Sequence, residues 1–354
     1  MRVFDTKNKF FEEFDPETGV YFRSGIIDKE GKDTGVDPFM RLFPNLIDVG
    51  IMGKCVCAEK CNVGCYQNAI GRTGDNMSLS DYESIMKQSR GKVFQVALGG
   101  AGDPDTHENF AEILRMTREY GIVPNFTTSG ITFTPEKARL CKQYCGSIAV
   151  SWHGADYTEK ALSMLVDAGV KANIHYVLSR KSISAAIKML KDGMFRNYKI
   201  NAIVFLLHKP IGLGKQEDVL MPGDPELPEF FELVDKGRHG FKIGFDSCTC
   251  PGIVNYTKTI DMNSIDYCEG GRFSMYIDAN MNAMPCSFGN QDSKWFVSLR
   301  EHTIKEAWDS DIFERFRDSL RNSCVDCKDR DICAGGCPIC REIVLCSRAE
   351  KVQV

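Results

Sequence analysis

Short apolar, β-branched runs recur along the middle of the chain, each followed by a longer stretch that mixes apolar and polar residues at helical spacing. The runs are LIDVGI (46–51), VFQVAL (93–98), VPNFT (123–127), SIAVS (147–151), NIHYVL (173–178) and NAIVFLL (201–207), and after the first interval they begin 24–30 residues apart. Runs of this kind read as strands, and one strand plus one helix fills such an interval. Helix signals occupy the gaps. Ser80 and Glu83 have capping-box spacing. Phe110, Ile113, Leu114 and Tyr120 mark one helical face that ends at Gly121. Thr134 before Pro135 has N-cap and first-turn chemistry, and Thr158 and Ser182 are cap candidates for two further helices. Six consecutive β/α units predict an α/β fold, a parallel sheet curved into an incomplete TIM-like (β/α)6 barrel. Its chemistry belongs on the loops at the strands' C-terminal ends.

The flanks break this rhythm. Residues 1–45 form a leader in which FFEEFDPETGVYFRSG places a Pro-Glu-Thr-Gly turn between apolar arms, as in a β-hairpin. Its edges could pair with an extended peptide or cover the open side of the barrel. MPGDPELPEF (221–230), with three prolines, is expected to end the barrel. Residues 46–220 are therefore assigned to the barrel, 221–247 to a linker and 248–354 to a cysteine-rich domain with a few helical turns, such as TIKEAWDSDIFERFRDSL (303–320).

Composition narrows the class. The chain has 354 residues, 43% hydrophobic and 26% charged, as expected of a globular enzyme with one large and one smaller domain. A net charge of −4 offers no electrostatic footprint for nucleic acid or an anionic membrane. MRVFDTKNKFFEEFD lacks a signal-peptide apolar core, and no apolar run approaches the roughly 20 residues that span a bilayer. The expected location is the cytoplasm. Sixteen cysteines are then unusual, because a reducing compartment does not maintain a disulfide framework. Their clustering at 55–65, 248–250, 268, 286 and 324–346 points to metal ligation instead.

Cys57-x3-Cys61-x3-Cys65 lies directly after the first predicted strand, with Cys55 just upstream. Three thiolates from one loop suit a [4Fe–4S] cluster with one iron left open, whereas structural zinc prefers paired ligands from two loops. A cysteine triad at this place in a partial β/α barrel resembles the radical S-adenosylmethionine (radical SAM) family. The family spacing is C-x3-C-x2-C with an aromatic residue before the last cysteine; here the second gap is x3 and Tyr66 follows Cys65. Either Cys55 or Cys57 can be the first ligand. The resemblance extends to LGGAGDP (98–104), where Gly99 and Gly100 match a Gly-Gly-Glu stretch that binds the SAM amino group and Ala101 replaces the Glu. TTSG (127–130) and the SWHG that starts at Ser151 end the next two strands. By the same resemblance Ser129 and Ser151 are candidate SAM contacts, and Tyr66 a candidate adenine contact.

The C-terminal block Cys324-x2-Cys327-x5-Cys333-x3-Cys337, preceded by Cys268 and Cys286, is similar to the SPASM extension of that family. Met281 occupies the position of a glycine in the SPASM pattern. The resemblance implies two auxiliary [4Fe–4S] clusters, three in all with the SAM-binding one. Cys268, Cys286, Cys337 and Cys250 (or Cys248) would hold the nearer. Cys324, Cys327, Cys333 and Cys346 (or Cys340) would hold the farther. It further implies a 5′-deoxyadenosyl radical used for oxidative modification, such as a crosslink, of a peptide or protein, with a flavodoxin- or ferredoxin-type electron donor. The alternatives are a small-molecule dehydrogenase or epimerase of the same family, or a zinc-stabilised binding protein. Sulfatase-maturating relatives have an aspartate base after the cysteine that matches Cys286; Ser287 stands there, so the base is unassigned. Asp246, Asp278, His153, His175 and His208 are ordinary structural residues as readily as catalytic ones. Trp152, Trp308, Cys141 and Cys145 read as packing residues.

Overall fold

The computed structural model describes residues 1–61, 63–67 and 73–348; the last six positions of the expected cysteine-rich domain lie outside them. A small antiparallel sheet comes first: β1 (Arg2–Asp5), β2 (Phe10–Phe14) and β3 (Tyr21–Arg23), in that order. β2 and β3 are the two arms of the leader, joined through the turn after Asp15, and β1 is a third strand beyond them.

Every apolar run read from the sequence is a strand. β4 (Leu46–Met52), β5 (Gln95–Gly100), β6 (Val123–Thr128), β7 (Ile148–Ser151), β8 (Ala172–Leu178) and β9 (Ala202–Leu207) pair in parallel, each with its neighbour in sequence. The helices between them are α1 (Leu79–Ser89), α2 (Phe110–Glu119), α3 (Pro135–Tyr144), α4 (Asp156–Asp167) and α5 (Ile183–Asp192). The α1 cap is Ser78, whose side chain accepts from the Asp81 N–H at 3.1 Å, and not Ser80. Thr134 caps α3 ahead of Pro135. Thr158 lies within α4, and Ser182 precedes α5 with its hydroxyl turned to the Val177 carbonyl, so neither caps a helix N–H.

The sheet continues where a linker was expected. After residues 221–226 come α6 (Leu227–Lys236) and β10 (Lys242–Phe245), which pairs in parallel with β9 and forms the sheet's edge. Pro228 stands in the first turn of α6, where its missing N–H costs no hydrogen bond, so the proline-rich stretch starts a helix. α7 (Cys250–Tyr256) follows. At the other edge, β11 (Ser274–Ile277) pairs in parallel with β4, Ser274 beside Leu46. β12 (Asn282–Met284) and β13 (Val297–Ser298) extend the sheet antiparallel. α8 (Ile304–Trp308) and α9 (Asp311–Arg321) divide the stretch read as one helix. The ten-stranded sheet is therefore open, and the cysteine-rich region is built onto its edge.

Side chains alternate along the strands. On β4, Ile47, Val49 and Ile51 are fully buried against the helical layer; burying one such side chain contributes about 1.5–3 kcal/mol. The other face is polar and half-buried. It carries Asp48, Gln95, Asn125, Asn173 and His175, with Asn125 donating to Gln95 at 2.9 Å and Asn201 to Asn173 at 2.8 Å.

The leader sheet reaches the segment around Cys268, where Arg23 of β3 pairs with Asp266. It packs under the strands' N-terminal ends. Phe14 stacks on Phe94 at 5.5 Å, Phe10 meets Phe273 edge-on at 6.3 Å, and Thr18 accepts from Lys171. Phe94, Lys171 and Phe273 each directly precede a strand. Buried Arg41 and Glu12 form an ion pair there, and Arg41 also donates to the Lys92 carbonyl at 2.7 Å. No described helix is long and apolar enough to cross a membrane.

Candidate functional site

The cysteine loop leaves β4 at the opposite end of the sheet. Its base is fixed by close backbone contact with the β5 loop. The Ala101 N–H donates to the Met52 carbonyl at 2.8 Å, and a Cβ on Gly100, at φ +116°, would stand 2.4 Å from that oxygen. Gly100 is required by this approach. Gly99 differs, since a Cβ there would meet nothing within 4 Å. Its open front gives a ligand room to reach the β5 backbone. The far end of the loop is held by the segment after β9: Leu213 N–H donates to the Cys65 carbonyl at 2.9 Å, and Gly212, at φ +63°, passes under the Tyr66 carbonyl.

Burial pushes the Cys57 thiol up to about 11 and raises Cys55 and Cys61 as well, and in all three the Asp103 carboxylate adds to the effect. Asp103 is a site residue that sequence reading missed, although it lies in the quoted LGGAGDP. Burial raises its carboxyl to about 6, against the hydrogen bonds from Ser129. Ser129, the predicted SAM contact, thus has its hydroxyl committed to Asp103. Asp105 beside it is fully buried, accepting from Thr128 at 2.8 Å and from Lys137 Nζ at 2.8 Å, which locks the β5 and β6 loops together. Ser151 ends β7, half-buried and in register with His175. Burial lowers His175 to about 4, so it is a neutral imidazole, with Thr127 Oγ1 3.2 Å from its Nδ1.

Tyr66 faces away from these groups and toward the auxiliary region. Its ring lies 4.8 Å from that of Phe288, and its hydroxyl bonds Ser287, the residue after Cys286. Lys209, just past β9, covers the same Phe288 ring at 4.7 Å and is paired with Asp246.

The C-terminal thiols fall into two groups. Cys248 is hydrogen-bonded to Cys337, and Cys268 and Cys286 lie within electrostatic reach of both. Burial drives the Cys268 and Cys286 thiols well above their usual range. The second group joins Cys324 to Cys327, Cys333 and Cys346. Cys250, expected with Cys268, stands instead by this second group. It begins α7, points to the Ile332 carbonyl at 3.3 Å, and hydrogen-bonds Cys333, a bond that lowers Cys333 to about 7. The two-residue step from the short helical turn at Ser247–Thr249 into α7 turns these side chains apart. Cys340 is buried, its N–H directed at Cys337 Sγ at 3.3 Å. Met281 takes the glycine's conformation, φ +68°, because Asp278 clamps the turn by accepting from Asn280 N at 2.9 Å and Asn282 N at 2.8 Å. Asp278 is thereby structural. Trp308 is fully buried, donating to the Arg41 carbonyl at 3.0 Å, and Trp152 packs edge-on against Phe195 at 4.6 Å.

Among the described residues no three Cys, His, Asp or Glu side chains are close enough to share one metal ion. What the site offers is three separate sets of thiols, with a glycine-lined approach beside the first. Thiolate sets of this kind fit multi-iron clusters.

A model of the SPASM iron–sulfur cluster-binding domain matches residues 268–333. The chain is 24% identical to the mycofactocin maturase MftC of Mycolicibacterium smegmatis, over 86% of this chain and 83% of that one. It is 22% identical to the PqqA peptide cyclase of Granulibacter bethesdensis, over 79% of each. Among solved structures, Streptococcus suis SuiB bound to the precursor peptide SuiA superposes with a TM-score of 0.68 at 16% identity, over 88% of this chain and 77% of that one. The enzyme anSMEcpe with bound AdoMet and a peptide gives 0.64 at 17% identity, over 87% and 95%. These two share the fold. With the cysteine loop after β4, the two C-terminal thiol groups and the matched domain, this chain is a radical SAM protein with a C-terminal SPASM domain.

Proposed function

We propose that this chain is an oxidoreductase that modifies a peptide or protein, for example by crosslinking two of its residues. The single observation that carries the reading is the line from Tyr66 through Phe288 to Lys209, which joins the cysteine loop after β4 to the thiols of Cys248, Cys286 and Cys337. That line supports a reading in which a radical site and an electron acceptor lie side by side, as oxidative modification requires. The two relatives similar to this chain, a maturase and a peptide cyclase, support a peptide substrate.

Cys57, Cys61 and Cys65 would hold the SAM-binding cluster, with Cys55 as the alternative first ligand. The backbone at Gly99 and Gly100 would receive the SAM amino group. Cys248, Cys268, Cys286 and Cys337 would hold the nearer auxiliary cluster, and Cys324, Cys327, Cys333 and Cys346 the farther, with Cys250 beside it. When bound, these groups supply the one-electron chemistry that cleaves SAM to methionine and a 5′-deoxyadenosyl radical. The chain's own part is to orient the substrate, exclude water and hold charge near the acceptor. A flavodoxin- or ferredoxin-type donor in the cytoplasm fits the expected reducing compartment.

Anaerobic reconstitution tests this. About 12 irons per chain are expected, and replacing Cys57, Cys61 and Cys65 together should remove about 4 of them with all SAM cleavage. A colourless protein that carries zinc would overturn the reading.

A further inference from the structure

Lys209 is a buried cation to which the proposed function gives no chemical role beyond its position. It is 6% exposed, its Nζ pairs with Asp246, and Asp246 is tied in turn by Thr249 Oγ1 at 2.7 Å and the Leu207 N–H at 3.2 Å. Burying an ammonium costs several kcal/mol, and an apolar pair of similar size generally serves packing as well or better. Something besides packing must favour the charge here. Its surroundings name it. Its partner Asp246 is two residues from Cys248, and Phe288, whose ring faces Nζ, is two residues from Cys286, so the ammonium is held between two thiols of the proposed nearer cluster. The Phe288 ring holds Nζ from the remaining side at 4.7 Å.

We propose that Lys209 is a positioning residue whose fixed charge raises the reduction potential of the auxiliary cluster on Cys248, Cys268, Cys286 and Cys337. This rests on the cluster assignment proposed above. A thiolate-bound cluster gains negative charge when it takes up an electron, and a nearby cation in a low-dielectric site favours that state. The transfer balances as one electron lost by the substrate radical and one gained by the cluster, which passes it on to the flavodoxin- or ferredoxin-type carrier. Asp246 partly offsets its charge.

Redox titration of the reconstituted full-length chain, followed by electron paramagnetic resonance, tests the proposal in Lys209→Gln, Lys209→Arg and Asp246→Asn. In Lys209→Gln with its iron retained, one auxiliary signal should move to a lower midpoint, by at least a tenfold loss in the equilibrium for electron uptake, or 59 mV for one electron. Lys209→Arg should restore most of it. An unchanged midpoint in iron-replete Lys209→Gln overturns the proposal. If that variant fails to load iron, Asp246→Asn decides: removing the counter-charge should raise the midpoint, and no change overturns the proposal. The shifting signal should be the one missing from Cys286→Ala. A Cys286→Ala titration identical to wild type would overturn the cluster assignment itself.

Discussion

The Ser129 N–H donates to Asp103 Oδ1 at 2.9 Å, and the Ser129 hydroxyl donates to the other oxygen of the same carboxylate. The end of β6 is thus bonded to the loop after β5, and the group turned toward the cysteine loop is a carboxylate where a hydroxyl was expected. Burial holds that carboxyl near 6, above its usual 3.8. Between those values the folded chain keeps a proton that the unfolded chain has released. Stability contributed by the protonated form is therefore lost as pH rises from about 4 through 6, at a cost of up to ~3 kcal/mol. Asp103→Asn should flatten that part of the profile. Denaturant unfolding of the cluster-free chain between pH 4 and 7 measures it, and parallel profiles for the two proteins would refute the assignment.

Gly99 and Gly100 should separate binding from folding. Gly100→Ala forces a Cβ against the Met52 carbonyl at a left-handed φ, so a loss of about 2–4 kcal/mol and poor yield are expected. Gly99→Ala has free space and should fold normally, yet bind SAM at least tenfold more weakly because the methyl stands in the ligand's approach. Isothermal titration with SAM distinguishes them. Undiminished affinity in Gly99→Ala would show that SAM approaches elsewhere.

Cys248 and Cys250 are two residues apart and belong to different thiol groups. Cys248→Ala should remove the same auxiliary signal as Cys286→Ala. Cys250→Ala should leave that signal in place and alter the one that depends on Cys333. Iron counts with paramagnetic spectra of the four single variants read this out, and the reverse pattern would return Cys250 to the nearer cluster.

Glu12→Gln leaves Arg41 buried without its counter-charge, a loss of about 3–5 kcal/mol. The pair lies at the far end of the sheet from the cysteine loop. SAM cleavage per iron loaded should therefore stay at the wild-type value while the denaturation midpoint falls. A proportional loss of cleavage would show that the leader reaches the site.

The local signals in this sequence were legible and the non-local ones were not. The apolar runs located β4 to β9 within two residues, because a strand's period and its flanking turn chemistry are both short-range. β10 was hidden by the prolines at 222, 225 and 228, of which Pro228 opens α6. The pairing of β11 with β4 has no local signature, since register between distant strands is decided by packing. The cysteine spacings predicted sets of thiols and gave no ground for parting Cys248 from Cys250. That choice depends on how one helical turn directs two side chains. Asp103 and Lys209 were passed over because a lone charged residue in a loop gives no sign of its burial.

The pairing of Leu46 with Ser274 also sets an order of events on the ribosome. One edge of β4 has no partner until β11 has been synthesised, roughly 10 to 50 s later at ordinary elongation rates. During that time an apolar strand edge is open to any other nascent chain. The first cysteine loop emerges early and the last ligands late, so iron delivery and chaperone protection of the half-made sheet have to overlap in time. Slowing translation between residues 52 and 274 should therefore increase aggregation in the cell without changing the sequence of the finished protein.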